Sequence, residues 1–303
     1  MILVNGRQVT INTFPNGERM IKLPDTTLSL KNDKHVIVWQ YENDGDFMLL
    51  NMVSEYITRN DLKNRKVECL IMSMPYERMD RSEEGSVCSL HNAVKLLPTN
   101  WDYNTIAPHS GEVEYYFRQE DLYLNSYSPL LDVIDYARNT LLNAANGFKT
   151  ALIFPDKGAY ERYGSDVLYN LRVPLYEVGY GNKVRDFETQ EITKLEILDQ
   201  EGNKMKSLQG FNVVVVDDLS SYGGTFVKIH ELLKDMKINK SFLLLEKTED
   251  SLLKGDLIGR YDKIFATDLM MKVVSDPTFV PELEIISSKE ILRKITQRLS
   301  GGF

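Results

Sequence analysis

Apolar residues run along this chain in two rhythms. Short unbroken apolar runs alternate with stretches in which apolar positions recur every three or four residues, the pattern of buried strands alternating with amphipathic helices. Residues 34–40 (Lys-His-Val-Ile-Val-Trp-Gln) read as a strand, 45–60 as a helix with Phe47, Leu50, Val53 and Ile57 on one side, and 67–75 as a second strand. Strand, helix, strand is the repeating unit of a parallel sheet. The pattern continues as a helix over 86–97, a strand over 104–107 and a helix over 129–146 carrying Leu130, Val133, Ile134, Ala137, Leu141 and Leu142. The plan then repeats, with strands over 150–154, 173–179, 191–198, 213–218, 241–245 and 263–268 and a closing amphipathic helix over 288–299. Residues 1–23 read as strands and turns. Asn146-Gly147 ends the long helix, so the domain boundary is expected there, giving domains 1–146 and 147–303.

One strand carries more than fold. Val213 to Val216 is followed by Asp217-Asp218, a Leu-Ser-Ser-Tyr stretch and Gly223-Gly224-Thr225, and then by a segment of helical spacing from Phe226 to Leu233. A glycine loop ahead of a helix offers free backbone N–H groups and a positive dipole end to a phosphate. The two carboxylates at the strand end suit ribose hydroxyls or Mg²⁺. A phosphate and a sugar bound side by side make a sugar-phosphate site. The competing reading is plainer: the acids cap the helix and Gly-Gly is a turn.

Other stretches carry candidate chemistry of lower specificity. Phe14-Pro15-Asn16-Gly17-Glu18-Arg19 marks a tight turn, on local grounds a hairpin connector. Pro75-Tyr76-Glu77-Arg78-Met79-Asp80-Arg81 follows a strand, where open α/β sheets put ligands, and arginine forks suit phosphate; it also reads as a solvated charged loop. A lone histidine such as His109 is more often structural than a ligand. Pro155-Asp156-Lys157-Gly158-Ala159 reads locally as a strand-to-helix turn. Residues 180–187, with Lys183 and Arg185 one residue apart, read as a connector between strands, either a solvated turn or a basic loop able to close over a nucleotide and neutralise migrating charge.

Composition narrows the class. The 303 residues suffice for about two domains, and 43% hydrophobic and 26% charged residues are ordinary for a globular protein. A net charge of −8 argues against a general nucleic-acid binder. Cys69 and Cys88 have no metal-ligand or disulfide spacing, which fits a reducing, cytoplasmic setting. No apolar run approaches the ~20 residues of a membrane span, and the amino terminus does not read as a signal peptide. There is no phosphate-binding Gly-x-x-x-x-Gly-Lys-Ser/Thr, no Gly-x-Gly-x-x-Gly and no Gly-x-Ser-x-Gly.

Taken in order, segments 14–19, 75–81, 107–110, 155–159 with 182–185, and 213–225 resemble those of ribose-phosphate pyrophosphokinases, and 213–225 also resembles the loop of type I phosphoribosyltransferases. The resemblance implies two tandem type I phosphoribosyltransferase-like α/β domains, each a mainly parallel sheet flanked by helices, assembled as a dimer or hexamer with active sites at interfaces. Phe14, Asn16 and Glu18 match a Phe-x-(Asp/Asn)-Gly-Glu segment that reaches the adenine end of ATP in a neighbouring subunit. Arg78, Asp80 and Arg81 match an ATP-binding segment in which Met79 replaces a glutamine. His109 matches a histidine that helps hold Mg²⁺ with ATP, with Ala107 where an aspartate is usual. Asp156 and Gly158 match a Pro-Asp-x-Gly-Gly segment at the ribose, diphosphate and metal, with Ala159 for the second glycine. Lys183 and Arg185 match the family's catalytic Lys-x-Arg pair. Asp217 and Asp218 match the acids at the ribose, and Ser221, Tyr222, Gly223, Gly224 and Thr225 the cradle of the 5-phosphate.

The implied reaction moves the β,γ-diphosphate of Mg-ATP to the 1-hydroxyl of ribose 5-phosphate. Tyr222 stands where a threonine is usual and adds an aromatic face beside the phosphate, so a larger acceptor such as ADP-ribose is the first alternative. A phosphoribosyltransferase and a non-catalytic regulatory homologue are the others. The Lys183–Arg185 pair argues against the last.

Overall fold

The four valines of the central run are almost fully buried because both faces of their strand are covered. The structure, a computed structural model, describes residues 1–24, 27–28, 33–82, 84–185, 192–271 and 280–300, with the backbone alone for 183–185 and 192–194. It divides into two compact units, 1–127 with 289–303, and 128–288.

The first unit is built on strands β1 (Ile2–Val4), β2 (Arg7–Gln8), β5 (Lys34–Trp39), β6 (Lys66–Ile71), β7 (Asp102–Ile106) and β8 (Leu124–Tyr127), in the order β2-β1-β5-β6-β7-β8. β5 to β8 run parallel, and β1 is antiparallel to both its neighbours. β3 (Thr10–Thr13) and β4 (Arg19–Lys22) pair as a separate antiparallel hairpin. Helix α1 (Gly45–Asn60) buries Phe47, Leu50, Val53 and Ile57, the face the spacing predicts. The helix expected over 86–97 is shorter: α2 (Ser89–Lys95) starts after Cys88, whose Sγ accepts the His91 N–H. α3 (Glu112–Gln119) and the end helix α7 (Ser288–Leu299), from residue 289 on, complete the unit.

The second unit orders its strands β11-β10-β9-β12-β13-β14-β15. They are β9 (Thr150–Phe154), β10 (Leu175–Arg185), β11 (Ile192–Asp199), β12 (Asn212–Ser220), β13 (Lys240–Thr248), β14 (Lys263–Thr267) and β15 (Leu283–Ile286). Only the β10–β11 pair is antiparallel. Leu152, Phe154, Val214, Val216, Phe242 and Leu244 pack against α4 (Leu130–Ala145) and α5 (Lys157–Asn170). Val213, Val215 and Leu243, on the other face, meet Phe226, Ile229 and Leu233 of α6 (Gly224–Asp235). Removing each such valine from water contributes about 1.5–3 kcal/mol.

The compact units do not divide at 146/147. Asn146-Gly147 ends α4, with Gly147 at φ +83°, but Val133, Ile134, Ala137 and Leu141 pack on the second sheet, so the division falls before that helix. β12 runs two residues beyond the expected strand, through Leu219 and Ser220, because its parallel pairing with β13 continues to Ser220–Thr248. α3, β8 and β15 have no counterpart in the pattern: they are short, and their apolar residues are too few to set a period.

Candidate active site

Most of the expected sugar-phosphate residues of the second unit meet at the carboxyl ends of β9 and β12. After β9 the chain turns through Pro155-Asp156 into α5, and Asp156 Oδ1 caps that helix by accepting the Ala159 N–H at 3.0 Å. Asp217 and Asp218 lie inside β12, not at its tip, so their side chains alternate: Asp218 shares the face of Val214 and Val216, and Asp217 that of Val213 and Val215. The Asp218 backbone N–H donates to Asp217 Oδ1 at 3.0 Å. Burial first, and then the charge of Asp218, push the Asp217 carboxyl well above the ordinary carboxylate range, and Asp156 adds to the effect. Asp218, 3% exposed, faces Arg162 of α5, whose Nη1 is 3.7 Å from its Oδ2.

The loop beyond β12 is held from one side. Ser221 Oγ lies 2.9 Å from Ser251 Oγ, and the Glu249 N–H donates to the Ser220 carbonyl at 3.0 Å. Tyr222 is 62% exposed, with no hydrogen bond or ring contact among the described residues. Gly223 caps α6 in the left-handed region at φ +81°, and a Cβ there would meet Leu257 Cδ2 at 2.7 Å, so both conformation and space demand glycine. α6 begins at Gly224, two residues before the helical spacing starts, with Thr225 in its first turn. The amino end of a helix carries unpaired N–H groups and a partial positive charge, so the loop can cradle a phosphate.

Lys183 and Arg185 are not on a connector. They lie on β10, opposite Leu195 and Ile192 of β11, because antiparallel pairing carries the strand six residues past Gly179. Gly181 lets β10 pass the Pro155 turn, since a Cβ there would meet the Pro155 carbonyl oxygen at 2.4 Å. The end of the expected basic connector, 186–187, lies outside the described residues.

In the first unit, the expected nucleotide residues gather at the carboxyl ends of β6 and β7. Glu77 is buried; it accepts the Ser73 hydroxyl at 3.2 Å and the His109 backbone N–H at 3.0 Å. The Ser110 hydroxyl donates to Asp80 Oδ2, and the Tyr116 hydroxyl to the Asp80 carbonyl at 3.3 Å. Segments 75–81 and 107–110 are thereby one assembly. Arg78 and Arg81 stay exposed, Arg81 Nε being 3.9 Å from Asp80 Oδ1. Met79 is exposed, and Ala107 is buried at φ +49°. Phe14, Asn16 and Glu18 are on the exposed turn of the β3–β4 hairpin, which is closed by Phe14 N–H to Glu18 O at 2.8 Å and Glu18 N–H to Asn16 Oδ1 at 3.2 Å.

No family model matches the chain, but full-length relatives do. The ribose-phosphate pyrophosphokinase of Pyrococcus furiosus is 26% identical over 284 residues, covering 91% of this chain and 90% of the relative. That of Sulfolobus acidocaldarius is 26% identical over 285 residues, covering 91% and 89%. The chain is a homologue of the ribose-phosphate pyrophosphokinases. The relatives it matches are named as enzymes, ribose-phosphate pyrophosphokinases. The pyrophosphokinase likeness extends to the fold: the phosphoribosylpyrophosphate synthetase of Mycobacterium smegmatis superposes with a TM-score of 0.71 at 15% identity, covering 97% of this chain and 91% of that one.

Among the described residues no group of three or more His, Cys, Asp or Glu side chains is gathered for a cation. Asp156 at the start of α5 and Asp217 in β12 are hard oxygen donors of the kind Mg²⁺ takes, one or two at a time together with substrate phosphates. No described helix is long and apolar enough to cross a membrane.

Four residues of these sites escaped the sequence reading: Glu77, Arg162, Tyr163 and Glu246. Glu246 carried a usable signal. Glu246-Lys247 ends an apolar run just as Asp217-Asp218 does, and it is fully buried one strand away. Glu77 and Arg162 carried none, because their partners are remote in sequence.

Proposed function

We propose that this pyrophosphokinase homologue transfers the β,γ-diphosphate of Mg-ATP to the 1-hydroxyl of ribose 5-phosphate, releasing AMP and forming phosphoribosyl pyrophosphate. The observation that carries the reading is the carboxyl edge of the second sheet, where Asp156, Asp217 and Asp218 stand beside a glycine-started helix. Phosphate cradle and hydroxyl acceptors belong together only for a phosphorylated sugar.

The 5-phosphate sits on the N–H groups and hydroxyls of 221–225. Asp217 and Asp218 accept the ribose hydroxyls. The acceptor's 1-oxygen attacks the β-phosphorus, the bond from that phosphorus to the α-bridging oxygen breaks, and AMP leaves while the hydroxyl proton is lost. Such transfers depend on positioning and electrostatics. Arg78 and Arg81 bind the nucleotide's phosphates, with Asp80 holding their loop, and Lys183 and Arg185 stabilise the migrating charge. Asp156 on the acceptor's side and, separately, His109 in the first unit would each serve Mg²⁺, which when bound would neutralise phosphate charge. Phe14, Asn16 and Glu18 serve the adenine end of ATP, supplied to a second copy of the chain in a homo-oligomer. The test is AMP release from Mg-ATP with ribose 5-phosphate, which should proceed; no release with any ribose 5-phosphate compound overturns the reading.

A second reading rests on Tyr222. Its exposed, unpartnered ring stands at the phosphate loop, and a base stacked on such a ring gains about 1–3 kcal/mol. An acceptor whose 5-phosphate continues into a nucleotide, such as ADP-ribose, supplies that base. The comparison is kcat/KM for ribose 5-phosphate and ADP-ribose in wild type and Tyr222→Thr. Preference for ribose 5-phosphate, unchanged by the substitution, rules this reading out.

A further inference from the structure

A chain of polar side chains runs inward from Asp218 across the face of the second sheet that α4 and α5 cover. Arg162 Nη1 lies 3.7 Å from Asp218 Oδ2 and 3.4 Å from the Tyr163 hydroxyl, and the guanidinium sits over the Tyr163 ring, 5.4 Å from its centre. The Tyr163 hydroxyl donates to Glu246 Oε2 at 2.9 Å. The Ser128 hydroxyl donates to Glu246 Oε1, and the Leu130 N–H at the start of α4 donates to Ser128 Oγ at 3.3 Å. The Thr267 hydroxyl holds the Glu246 carbonyl on β13.

Three features make this more than packing. Asp218 and Glu246 are buried acids on adjacent strands and on one face, and Arg162 is a cation beside Asp218 on that face. A buried carboxylate is held ionised only by a partner. The guanidinium, fixed by ring, hydroxyl and carboxylate, leaves the Asp218 side chain few alternative positions. The Arg162 side chain is itself 35% exposed, so it stands where buried acid meets solvent.

We propose that Arg162, anchored through Tyr163 to Glu246, is the positioning residue that keeps Asp218 aimed at the acceptor's ribose hydroxyls. This rests on the acceptor site proposed above. Arg162 acts through Asp218. Its effect therefore belongs to acceptor binding and not to ATP binding, a split that a general loss of structure does not produce.

The experiment measures KM for acceptor and for ATP, by AMP release, in the full chain and in Arg162→Met, Arg162→Lys and Tyr163→Phe, with ribose 5-phosphate and ADP-ribose as acceptors. Arg162→Met should raise acceptor KM roughly tenfold, the scale of one lost charge-assisted contact, with ATP KM within about twofold. Arg162→Lys, which keeps the charge, should recover most of that loss. Tyr163→Phe keeps the ring and removes the tie to Glu246; it should raise acceptor KM about threefold and serves if Arg162→Met does not fold. Unchanged acceptor KM in Arg162→Met, or in Tyr163→Phe where that variant stands alone, overturns the inference, as does an equal rise in both KM values. A wild type that releases no AMP with either acceptor overturns the proposed activity and this inference with it.

Discussion

The two units share an architecture but treat charge at their carboxyl edges in opposite ways. In the first, the buried acids spend their oxygens on the protein itself. Asp46 accepts the Trp39 indole N–H at 3.2 Å and the Glu42 N–H at 2.9 Å, and Glu77 accepts Ser73 and His109. Its arginines, Arg78 and Arg81, are left in solvent. In the second, Asp218 and Glu246 share one face of adjacent strands and Asp217 lies on the other, with burial as the main cause of the rise in Asp217 and Glu246. One edge offers cations on a satisfied frame and suits a polyphosphate. The other gathers acids beside a helix amino end and suits a sugar with a phosphate. The same fold serves two ligands because their loops differ, not their sheets.

The comparison breaks most visibly at Lys183 and Arg185, which belong to the second unit yet are assigned to the migrating diphosphate. Lys183→Ala or Arg185→Ala should slow turnover by roughly 10²–10³ while calorimetric ATP affinity holds. Wild-type kcat in either variant removes the catalytic assignment.

The acid-rich edge is sharpened by Asp217→Asn with Asp218→Asn. Loss of two charge-assisted contacts should weaken acceptor binding by roughly a hundredfold or more and leave ATP binding in place. Equal loss of both affinities contradicts the division between the edges.

Glu246 tests the buried acid through stability. Burial raises its carboxyl from 4.5 to about 7, with Asp218 raising it further and Ser128, Tyr163 and Lys247 opposing. The folded state therefore holds a proton that the unfolded state releases between pH 4.5 and about 7, so stability falls as pH rises through that window. Glu246→Gln mimics the neutral acid. It should be more stable than wild type above about pH 7, by at most about 3 kcal/mol, and lose that advantage below pH 4.5, as read by urea unfolding across pH. A pH-independent difference argues against it.

The smallest effect is expected where the first edge is most nearly satisfied. Glu77→Ala leaves the His109 N–H without its acceptor, at a cost of about 1–3 kcal/mol, and should raise ATP KM up to about tenfold with acceptor KM little moved. No change in ATP KM separates that frame from nucleotide binding.

Much of this was legible in the sequence, for identifiable reasons. Val213 to Val216 and Phe47, Leu50, Val53 and Ile57 announced their elements because burial on two faces, or on one side of a helix, leaves a period to read. The acids Asp156, Asp217 and Asp218 and the glycine loop were legible because an apolar run followed by acids and a helix start are local features, although Asp217 and Asp218 lie within β12 and not at its end. The extents were not. Nothing around Gly181 to Arg185 distinguishes a turn from a strand until β11 pairs with it. Likewise α4 follows the first sheet in sequence but is claimed by the second through Val133, Ile134, Ala137 and Leu141. Glu77 and Arg162 matter only through His109 and Asp218, 32 residues away for Glu77, and no local pattern encodes such a pairing.

The central claim is that an intact diphosphate moves to the sugar. Phosphorus NMR of the wild-type protein with Mg-ATP and ribose 5-phosphate tests it most directly. The account predicts AMP and a sugar 1-diphosphate rising together in equal amounts, with ADP absent. ADP with a singly phosphorylated sugar, or an unchanged ATP spectrum with both ribose 5-phosphate and ADP-ribose, contradicts it.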